Sequence, residues 1–386
     1  MAGSTLLKEC QFVGFPHSDF KAGMDVAIDA SGLIQDVSSE ISDDGFDTVI
    51  HVNRDWVSPG WIDLHTHFYH GVSNLGVLPE EIGPKTGVSI LVDTGSAGYA
   101  TFVGFRDYVL SQSSFPLFAF LNLGSIGLVQ ANGVSELDSL DKLDLDAMVD
   151  CIHRNPSWIK GVKIRASGVI LRGWGVEIVK VARKVAREVG LPLMVHVGEP
   201  LPVLEDILPI LDGGDIVTHC FHGKRYGLLE NGQPISGSRE AIDRGVLLDV
   251  GHGAASFSFD VAQRAIDLGY YPHTISTDIH QHNIDGPVWD LSLTASKLLH
   301  VGLPFRQTIE AISVNPAKSI GYNAKQENVK GQPARMTVFE AGSASFQAYD
   351  SYGNERTLDR ILRPKYTING AAVITADTRF PFADSE

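Results

Sequence analysis

Cysteine is scarce in this sequence of 386 residues, where Cys10, Cys151 and Cys220 are the only three. So few cysteines, and an odd number of them, exclude a disulfide framework and are typical of a reducing compartment, so we expect a cytoplasmic location. Basic residues are also in deficit, because 31 Lys and Arg stand against 46 Asp and Glu and give a formal net charge of −15. Nucleic acid is therefore excluded as the expected partner, since its phosphates need a surface rich in Lys and Arg.

Long apolar runs are missing as well. No segment approaches the roughly 18 apolar residues of a membrane span, and the first residues, MAGSTLLKEC, contain no basic segment followed by an apolar run. We therefore expect neither a membrane anchor nor a signal peptide. A hydrophobic content of 44% with 20% charged residues is that of an ordinary globular protein, and it leaves open whether the chain forms a homo-oligomer.

What the sequence does contain is a series of eight short apolar runs between residues 56 and 278. In chain order they are WVSPGWIDLHTH, VSILVDTG, PLFAFLNLG, WIKGVKIR, LPLMVHVGE, DIVTHC, GVLLDVGHG and HTISTD. Runs that are apolar almost throughout are typical of parallel strands buried on both faces. Helical patterns follow several of them, at Leu143–Ile152, Val176–Val189, Phe257–Leu268 and Pro287–Leu299. This alternation predicts an α/β fold, and eight such units predict a (β/α)8 barrel.

The two ends of the chain have a different pattern. Residues 1–56 and 330–386 contain alternating polar and apolar segments with Asp, Ser and Gly turns between them, such as MDVAIDASG and AAVITAD. Two separate β appendages would each have too few strands to be stable, so we favour one small β-sandwich domain built from both termini. The predicted domains are thus 1–56 plus 330–386 for the sandwich and 57–329 for the barrel.

Side chains that commonly bind metal ions stand where the predicted strands end. These are His65 and His67, Lys160 and Lys163, His196, His219, and Asp278. Side chains at the carboxyl ends of barrel strands converge on one face, where such barrels carry their active sites. A histidine pair two residues apart is a weak metal signal, and a single buried histidine is more often only hydrogen-bonded. Four histidines and an aspartate, each at a strand end, favour a metal centre over independent core positions.

The strand-one segment PGWIDLHTHFYHG resembles the signature of the amidohydrolase superfamily, whose order P-G-x-I-D-x-H-x-H is intact here. Later ligands of that family match MVHVGE, VTHC and STD, and SVNPAKSIGY resembles the segment that closes its barrel. The family also carries a β-sandwich built from both chain ends. The resemblance covers nearly the whole chain and implies a metal-dependent hydrolase.

Binuclear members of that family similar to this sequence bridge two divalent ions, most commonly zinc, with a strand-four lysine carboxylated by carbon dioxide. The resemblance assigns that lysine to Lys163, because Lys160 lies nearer the start of the strand. It further implies that the metal ligands are His65, His67, Lys163, His196, His219 and Asp278. Two ions would lower the pKa of a shared water toward about 7. Asp278 would then carry its proton to the leaving group.

The segments HFYHG, VKIRASG, HVGEP, HCFHGK and DVGHG look closest to a deacetylase-like branch, which implies hydrolysis of an amide or ester bond of a small anionic substrate. An anion on an acidic protein needs cations, and Arg165, Arg172, Lys224 and Arg225 follow strands four and six. The expected substrate-binding residues are Arg165, His222, His280 and Tyr69.

Three alternatives remain open at this point. Dihydroorotases place an arginine where this sequence has Tyr69, but a related hydrolase of cyclic amides, such as a hydantoinase, also fits. The segment HVGE, from His196 to Glu199, resembles that of mononuclear deaminases. A barrel that has kept the ligands without catalysis is the third alternative, because fold alone does not fix function.

Overall fold

Strands from both ends of the chain meet in one sheet, and the middle of the chain forms a second. The computed structural model describes residues 3–16, 20–53, 55–131, 133–137, 139, 143–171, 173–322 and 327–381. The strands before residue 60 are β1 Thr5–Phe12, β2 Met24–Ile28, β3 Ile34–Ser38, β4 Thr48–His51 and β5 Trp56–Pro59. The later ones are β6 Trp61–Thr66, β7 Val88–Thr94, β8 Leu117–Asn122, β9 Ile159–Arg165, β10 Leu193–His196, β11 Ile216–Thr218, β12 Leu229–Glu230, β13 Gln233–Pro234, β14 Leu247–Asp249, β15 Arg335–Tyr349, β16 Glu355–Asn369 and β17 Ala372–Thr375.

Helices lie between the strands of the central sheet, as the predicted pattern requires. They are α1 Pro79–Ile82, α2 Phe102–Tyr108, α3 Leu145–Arg154, α4 Gly168–Leu171, α5 Glu177–Glu188, α6 Leu204–Ile207, α7 Ser238–Asp243, α8 Phe259–Asp267, α9 Leu291–His300, α10 Phe305–Ala311 and α11 Val314–Ser319. The side chains of Asp144, Ser258 and Asp290 cap α3, α8 and α9 by accepting a hydrogen bond from a backbone amide of the first turn. Among the described helices, none is long and apolar enough to cross a membrane.

Seven parallel strands form the curled central sheet, in the order β14-β11-β10-β9-β8-β7-β6. The eighth predicted strand, HTISTD, is not a regular strand. It makes single parallel bridges to each edge, from Thr274 to Asp249 and from Ile279 to Thr66. The amide of Asp278 also donates to the carbonyl of His65 at 2.7 Å. This segment therefore closes the sheet into the predicted barrel.

The predicted first strand of the barrel is divided at Gly60. Residues Trp56–Pro59 pair with β15 and β1 in the sheet of the termini, and Trp61–Thr66 pair with β7 in the barrel. A Cβ atom at Gly60 would lie 2.5 Å from the hydroxyl of Ser89, so no larger residue fits where the chain passes between the sheets. The domain boundary at residues 56 and 57 stays a prediction. Strand β5, which begins at this boundary, pairs with strands from both ends of the chain.

The sheet of the termini contains strands from both chain ends in the order β17-β16-β15-β5-β1-β2-β3, with β4 paired to β1. Its own buried core includes Leu7, Val26, Val57, Met336 and Ile368. The predicted fold class, a (β/α)8 barrel with a small β domain formed from both ends, is confirmed.

The hairpin of β15 and β16 is much longer than its neighbours. Its two strands pair antiparallel from Arg335 and Asn369 to Tyr349 and Glu355, whereas β5 pairs with β15 only as far as Phe339. The outer half of the hairpin therefore leaves the sheet, and it packs against α9, where the amide of Leu362 donates to the hydroxyl of Ser296 at 3.0 Å. We name its turn, residues 349–355, the hairpin tip.

Candidate metal centre

The carboxyl ends of the barrel strands bring all six predicted metal ligands together. His65 lies in β6, Lys163 in β9 and His196 at the end of β10. His67 and His219 follow β6 and β11, and Asp278 belongs to the closing segment. That these side chains bind metal stays a prediction.

Asp278 is in contact with both histidines of the first strand. Its Oδ1 atom lies 3.1 Å from His67 Nε2 and 3.3 Å from His65 Nε2. The Nζ atom of Lys163 lies 3.0 Å from the same His65 nitrogen. Three different strand ends thus present their ligand atoms to one point.

His196 and His219 form a second contact beside the first. The Nε2 atom of His219 lies 2.9 Å from His196 Nδ1, and the rings of His219 and His65 are 5.2 Å apart. Ligand atoms of His65, His219 and Asp278 all lie within 4.8 Å of one another, a spacing that could hold a metal ion. The buried Nε2 of His196 has no hydrogen-bond partner in the described part of the chain. The residues present therefore suit a metal better than a closed hydrogen-bond network.

Hydrogen bonds at the Nδ1 atoms orient the imidazoles of His219 and His65. His219 Nδ1 must donate to the carbonyl of Gly251, 2.6 Å away, which leaves a lone pair on Nε2. His65 Nδ1 contacts the Thr218 hydroxyl at 2.9 Å, and that hydroxyl donates to Asp249 at 2.6 Å. Fixed tautomers of this kind are typical of histidines that ligate metals.

Burial sets the protonation of the cluster. It lowers the pKa of His219 to about 4 and the pKa of His65 and His196 well below the ordinary value, so the imidazoles are neutral. Burial also lowers the pKa of Lys163 to about 7. Burial alone would raise the pKa of Asp278. The neighbouring His65 and the hydrogen bond from His67 have a larger effect and hold that pKa well below its usual range. Neutral imidazoles and an ionised carboxylate are the forms that bind metal.

Two of the predicted ligands are held in backbone conformations that residues other than glycine rarely adopt. The φ angles of His219 and Asp278 are +69° and +49°. Gly251 and Gly253 pack directly on them, since a Cβ at Gly251 would lie 2.9 Å from His219 Nδ1 and one at Gly253 would lie 2.5 Å from Asp278 Oδ2. Strained backbone of this kind is concentrated at functional sites.

The four predicted substrate-binding residues lie in different surroundings. The ring of His280 is 6.5 Å from that of His67, so it borders the cluster. His222 is buried beside Lys224, whose amide donates to His222 Nδ1 at 3.1 Å. The hydroxyl of Tyr69 donates to the carbonyl of Thr101 at 3.0 Å and its ring is buried.

The fourth residue, Arg165, already has a partner. Its guanidinium forms two hydrogen bonds with the fully buried carboxylate of Glu136, at 2.7 and 3.0 Å. Lys224 likewise pairs with a carboxylate, that of Glu199, whereas Arg225 is exposed and Arg172 lies outside the described residues. Substrate binding by Arg165 stays a prediction, and Lys224 also lies close to the cluster, since its Nζ and His196 Nε2 both lie within 4 Å of where a Cβ at Gly198 would be.

Known proteins are similar to this chain over nearly its whole length. The chain is 43% identical over 371 residues to a deacetylase of Brucella anthropi, which covers 96% of this chain and 92% of that protein. A solved structure described as a dihydroorotase is 42% identical with a TM-score of 0.91, covering 99% of this chain and 100% of the other.

The chain belongs to the amidohydrolase superfamily. The expected metal-dependent hydrolase is thereby confirmed at the level of the family. A second solved structure, described as an adenine deaminase, is 31% identical with a TM-score of 0.88 and covers 96% of this chain and 99% of the other. No protein-family model matches the chain.

Several residues that support the site of this amidohydrolase were not found from the sequence. They are Glu136 behind Arg165, Ser96 at 2.9 Å from His67 Nδ1, and Thr218 and Asp249 behind His65. Thr218 directly precedes His219, so the strand alternation could have placed its hydroxyl on the opposite side of β11. Glu136 lies in a polar loop without periodicity, which offers no such signal.

Breaking the pair of Arg165 and Glu136 is expected to destabilise this amidohydrolase. Arg165→Met should cost about 3–5 kcal/mol of unfolding free energy, because it leaves a fully buried carboxylate without its partner. Urea unfolding measures this cost. The double variant Arg165→Met with Glu136→Gln is the control and should recover most of the loss. An unchanged midpoint in the single variant would show that Glu136 does not need Arg165.

Proposed function

We propose that the cluster holds two divalent metal ions, in the first instance zinc, bridged by a carboxylated Lys163. The single observation that carries the proposal is that all six expected ligand side chains lie in one contact cluster at the strand ends. When bound, the ions would supply Lewis-acid polarisation of the scissile carbonyl and a water of lowered pKa. The other steps, proton transfer and substrate binding, are assigned to residues of the chain.

Lys163 suits carboxylation because of where its amine lies. The side chain is buried, and within 4.0 Å its Nζ has no ion pair with a described carboxylate. Its neighbours are His65 Nε2 at 3.0 Å and Met194 Sδ at 3.6 Å. An ammonium group has no lone pair and cannot ligate a cation, whereas a carbamate offers two anionic oxygens. Because burial lowers the pKa of this amine to about 7, a large share of it is neutral near neutral pH and able to react with carbon dioxide.

Asp278 is the proposed proton carrier. Its Oδ1 contacts the two strand-one histidines, and its backbone position fixes the carboxylate between them. The carboxylate is thus held where it can accept a proton from the attacking water and return it to the leaving group.

The proposed reaction is hydrolysis of an amide or ester bond in a small acyl compound that carries an acidic group. The name of the Brucella anthropi relative, deacetylase, supports removal of an acyl group. Lys224 supports an acidic substrate, because it is a cation at the mouth of the barrel.

Deamination is the second candidate, supported by the name of the adenine deaminase structure. That reaction would need Glu199 to hold a proton near neutral pH. Burial raises the pKa of Glu199, but hydrogen bonds from Lys224 and Ser167 outweigh this and lower it to about 2. The carboxylate is therefore engaged as an anion, which favours the amide hydrolase.

Metal analysis combined with a substrate panel tests the proposal. The panel contains N-acetyl amino acids, acetylated hydroxy acids, dihydroorotate, hydantoins and adenine. We expect two metal ions per chain and fastest turnover of an acylated acid. One ion per chain with release of ammonia from adenine would establish the deaminase instead, and turnover of dihydroorotate or a hydantoin alone would establish a cyclic amide hydrolase.

A further inference from the structure

The hairpin tip reaches the mouth of the barrel although it belongs to the sheet of the termini. The hydroxyl of Tyr352 accepts a hydrogen bond from the amide of Gly223 at 2.8 Å and donates to the carbonyl of Ala255 at 3.3 Å. Ser351 donates to the carbonyl of Gly253 at 2.9 Å. The tip therefore connects the loops that follow strands β11 and β14, which also carry the ligand His219 and its supporting glycines.

The buried carboxylate of Asp350 stabilises the hairpin tip by accepting hydrogen bonds from backbone amides. Asp350 accepts hydrogen bonds from the amides of Tyr352 and Asn354 at 2.8 and 2.9 Å, and from the amide of Phe259 at 3.2 Å. Its side chain is almost fully buried. A turn with these bonds presents Tyr352 in one fixed position.

Tyr352 touches the loop directly before Lys224. A Cβ at Gly223 would lie 3.0 Å from the Tyr352 ring, so the ring packs on the bare backbone there. Glycines at 223 and 227 border the segment that carries Lys224, and such a segment is free to move unless something holds it. The Tyr352 hydroxyl holds the segment at Gly223, and the bond from the Lys224 amide to His222 Nδ1 holds it one residue later.

Lys224 stands beside the metal cluster. A Cβ at Gly198 would lie 3.3 Å from Lys224 Nζ and 3.7 Å from His196 Nε2, which places the amine next to a predicted ligand. Its described partner is the carboxylate of Glu199, which also accepts from Ser167. Because Glu199 keeps the bond from Ser167, Lys224 can turn one of its three N–H bonds toward an incoming anion.

We propose that Lys224 binds the acidic group of the substrate and that Tyr352, from the hairpin tip, is the positioning residue that holds Lys224 in place. The inference rests on the proposed function, whose substrate class it explains. It assigns the C-terminal hairpin a part in substrate selection, since the loop that carries Lys224 is held by residues far away in the sequence.

Binding of an acid and of its uncharged amide tests this inference. The metal-loaded enzyme is titrated by calorimetry with an analogue of each N-acetyl amino acid that has a methylene in place of the amide nitrogen and is not hydrolysed, and with the primary amide of that analogue. Wild-type protein should prefer the acid, and Lys224→Gln should weaken the acid about tenfold while it leaves the amide unchanged. Tyr352→Phe, which keeps the ring, should weaken the acid about fivefold. Tyr349→Phe removes a hydroxyl from the same hairpin and should change neither.

The double variant separates positioning from a general structural role. In the Lys224→Gln background, Tyr352→Phe should have no further effect on acid binding, because it acts through Lys224. Equal losses for acid and amide, additive losses in the double variant, or no preference of the wild type for the acid would each overturn the inference. These titrations need no turnover. Failure of the proposed function would show separately, as a wild-type enzyme that binds acids but hydrolyses none of the acyl panel.

Discussion

Lys163→Ala is expected to lose metal and more than about 10³-fold of the activity. The two proposed ions act together on one water and one carbonyl, so removal of the ligand between them disables both roles. Metal content of the purified variant and turnover of the best panel substrate measure the loss. Formate at high concentration should restore part of the activity, because it supplies a small carboxylate in the space that the side chain leaves.

Lys160→Ala is the matched control for this experiment. Lys160 lies near the start of β9, where its Nζ donates to the carbonyl of Pro156 at 2.9 Å and lies 5.2 Å from the centre of the Phe118 ring. The variant should keep its metal and its activity. Full metal content and activity in Lys163→Ala would refute the bridging assignment, and an inactive Lys160→Ala would move it to the other lysine.

Asp278→Asn is expected to lower kcat by about 10²–10⁴-fold, because an amide can take no proton from the attacking water. The change keeps the size of the side chain, so most of the contacts to His65 and His67 survive and much of the metal should be retained. The acidic limb of the pH profile should persist in the rate that remains, because it reports the proposed metal-bound water, whereas the pKa of Asp278 is held well below its usual range. Turnover, metal content and the pH profile are measured together.

Asp285→Asn provides the comparison, since Asp285 follows seven residues later and its side chain is 81% exposed. That variant should behave like the wild type. If Asp278→Asn kept full kcat, the proton would have to be carried by another group, and His280 would be the next residue to test.

The regular parts of the fold follow from local patterns. The helices predicted at Val176–Val189 and Phe257–Leu268 are found at Glu177–Glu188 and Phe259–Asp267, because their apolar residues recur at helical spacing. The six predicted ligands lie together because the carboxyl ends of all strands in a parallel barrel face one side, although the choice of Lys163 over Lys160 came from the family resemblance.

Features that depend on distant pairing could not be found in this way. The run around Gly60 is apolar throughout, so nothing local reveals that its two halves pair in different sheets. The partner of Arg165 is Glu136, from a polar loop, and the partner of Gly223 is Tyr352, 129 positions away. Such contacts leave no periodic signal, since each depends on the finished fold.

The strand Trp56–Pro59 has a consequence for synthesis of the chain on the ribosome. Its edge pairs with β15, where Pro59 lies opposite Met336, about 280 residues later. At roughly 5–20 residues per second, that partner emerges on the order of tens of seconds after the strand itself. The barrel can therefore be translated in full while this edge is still open, and an open edge invites pairing with another chain. Emergence of β15 covers the edge, so the nascent chain is most in need of chaperone protection before Met336–Phe339 leave the ribosome.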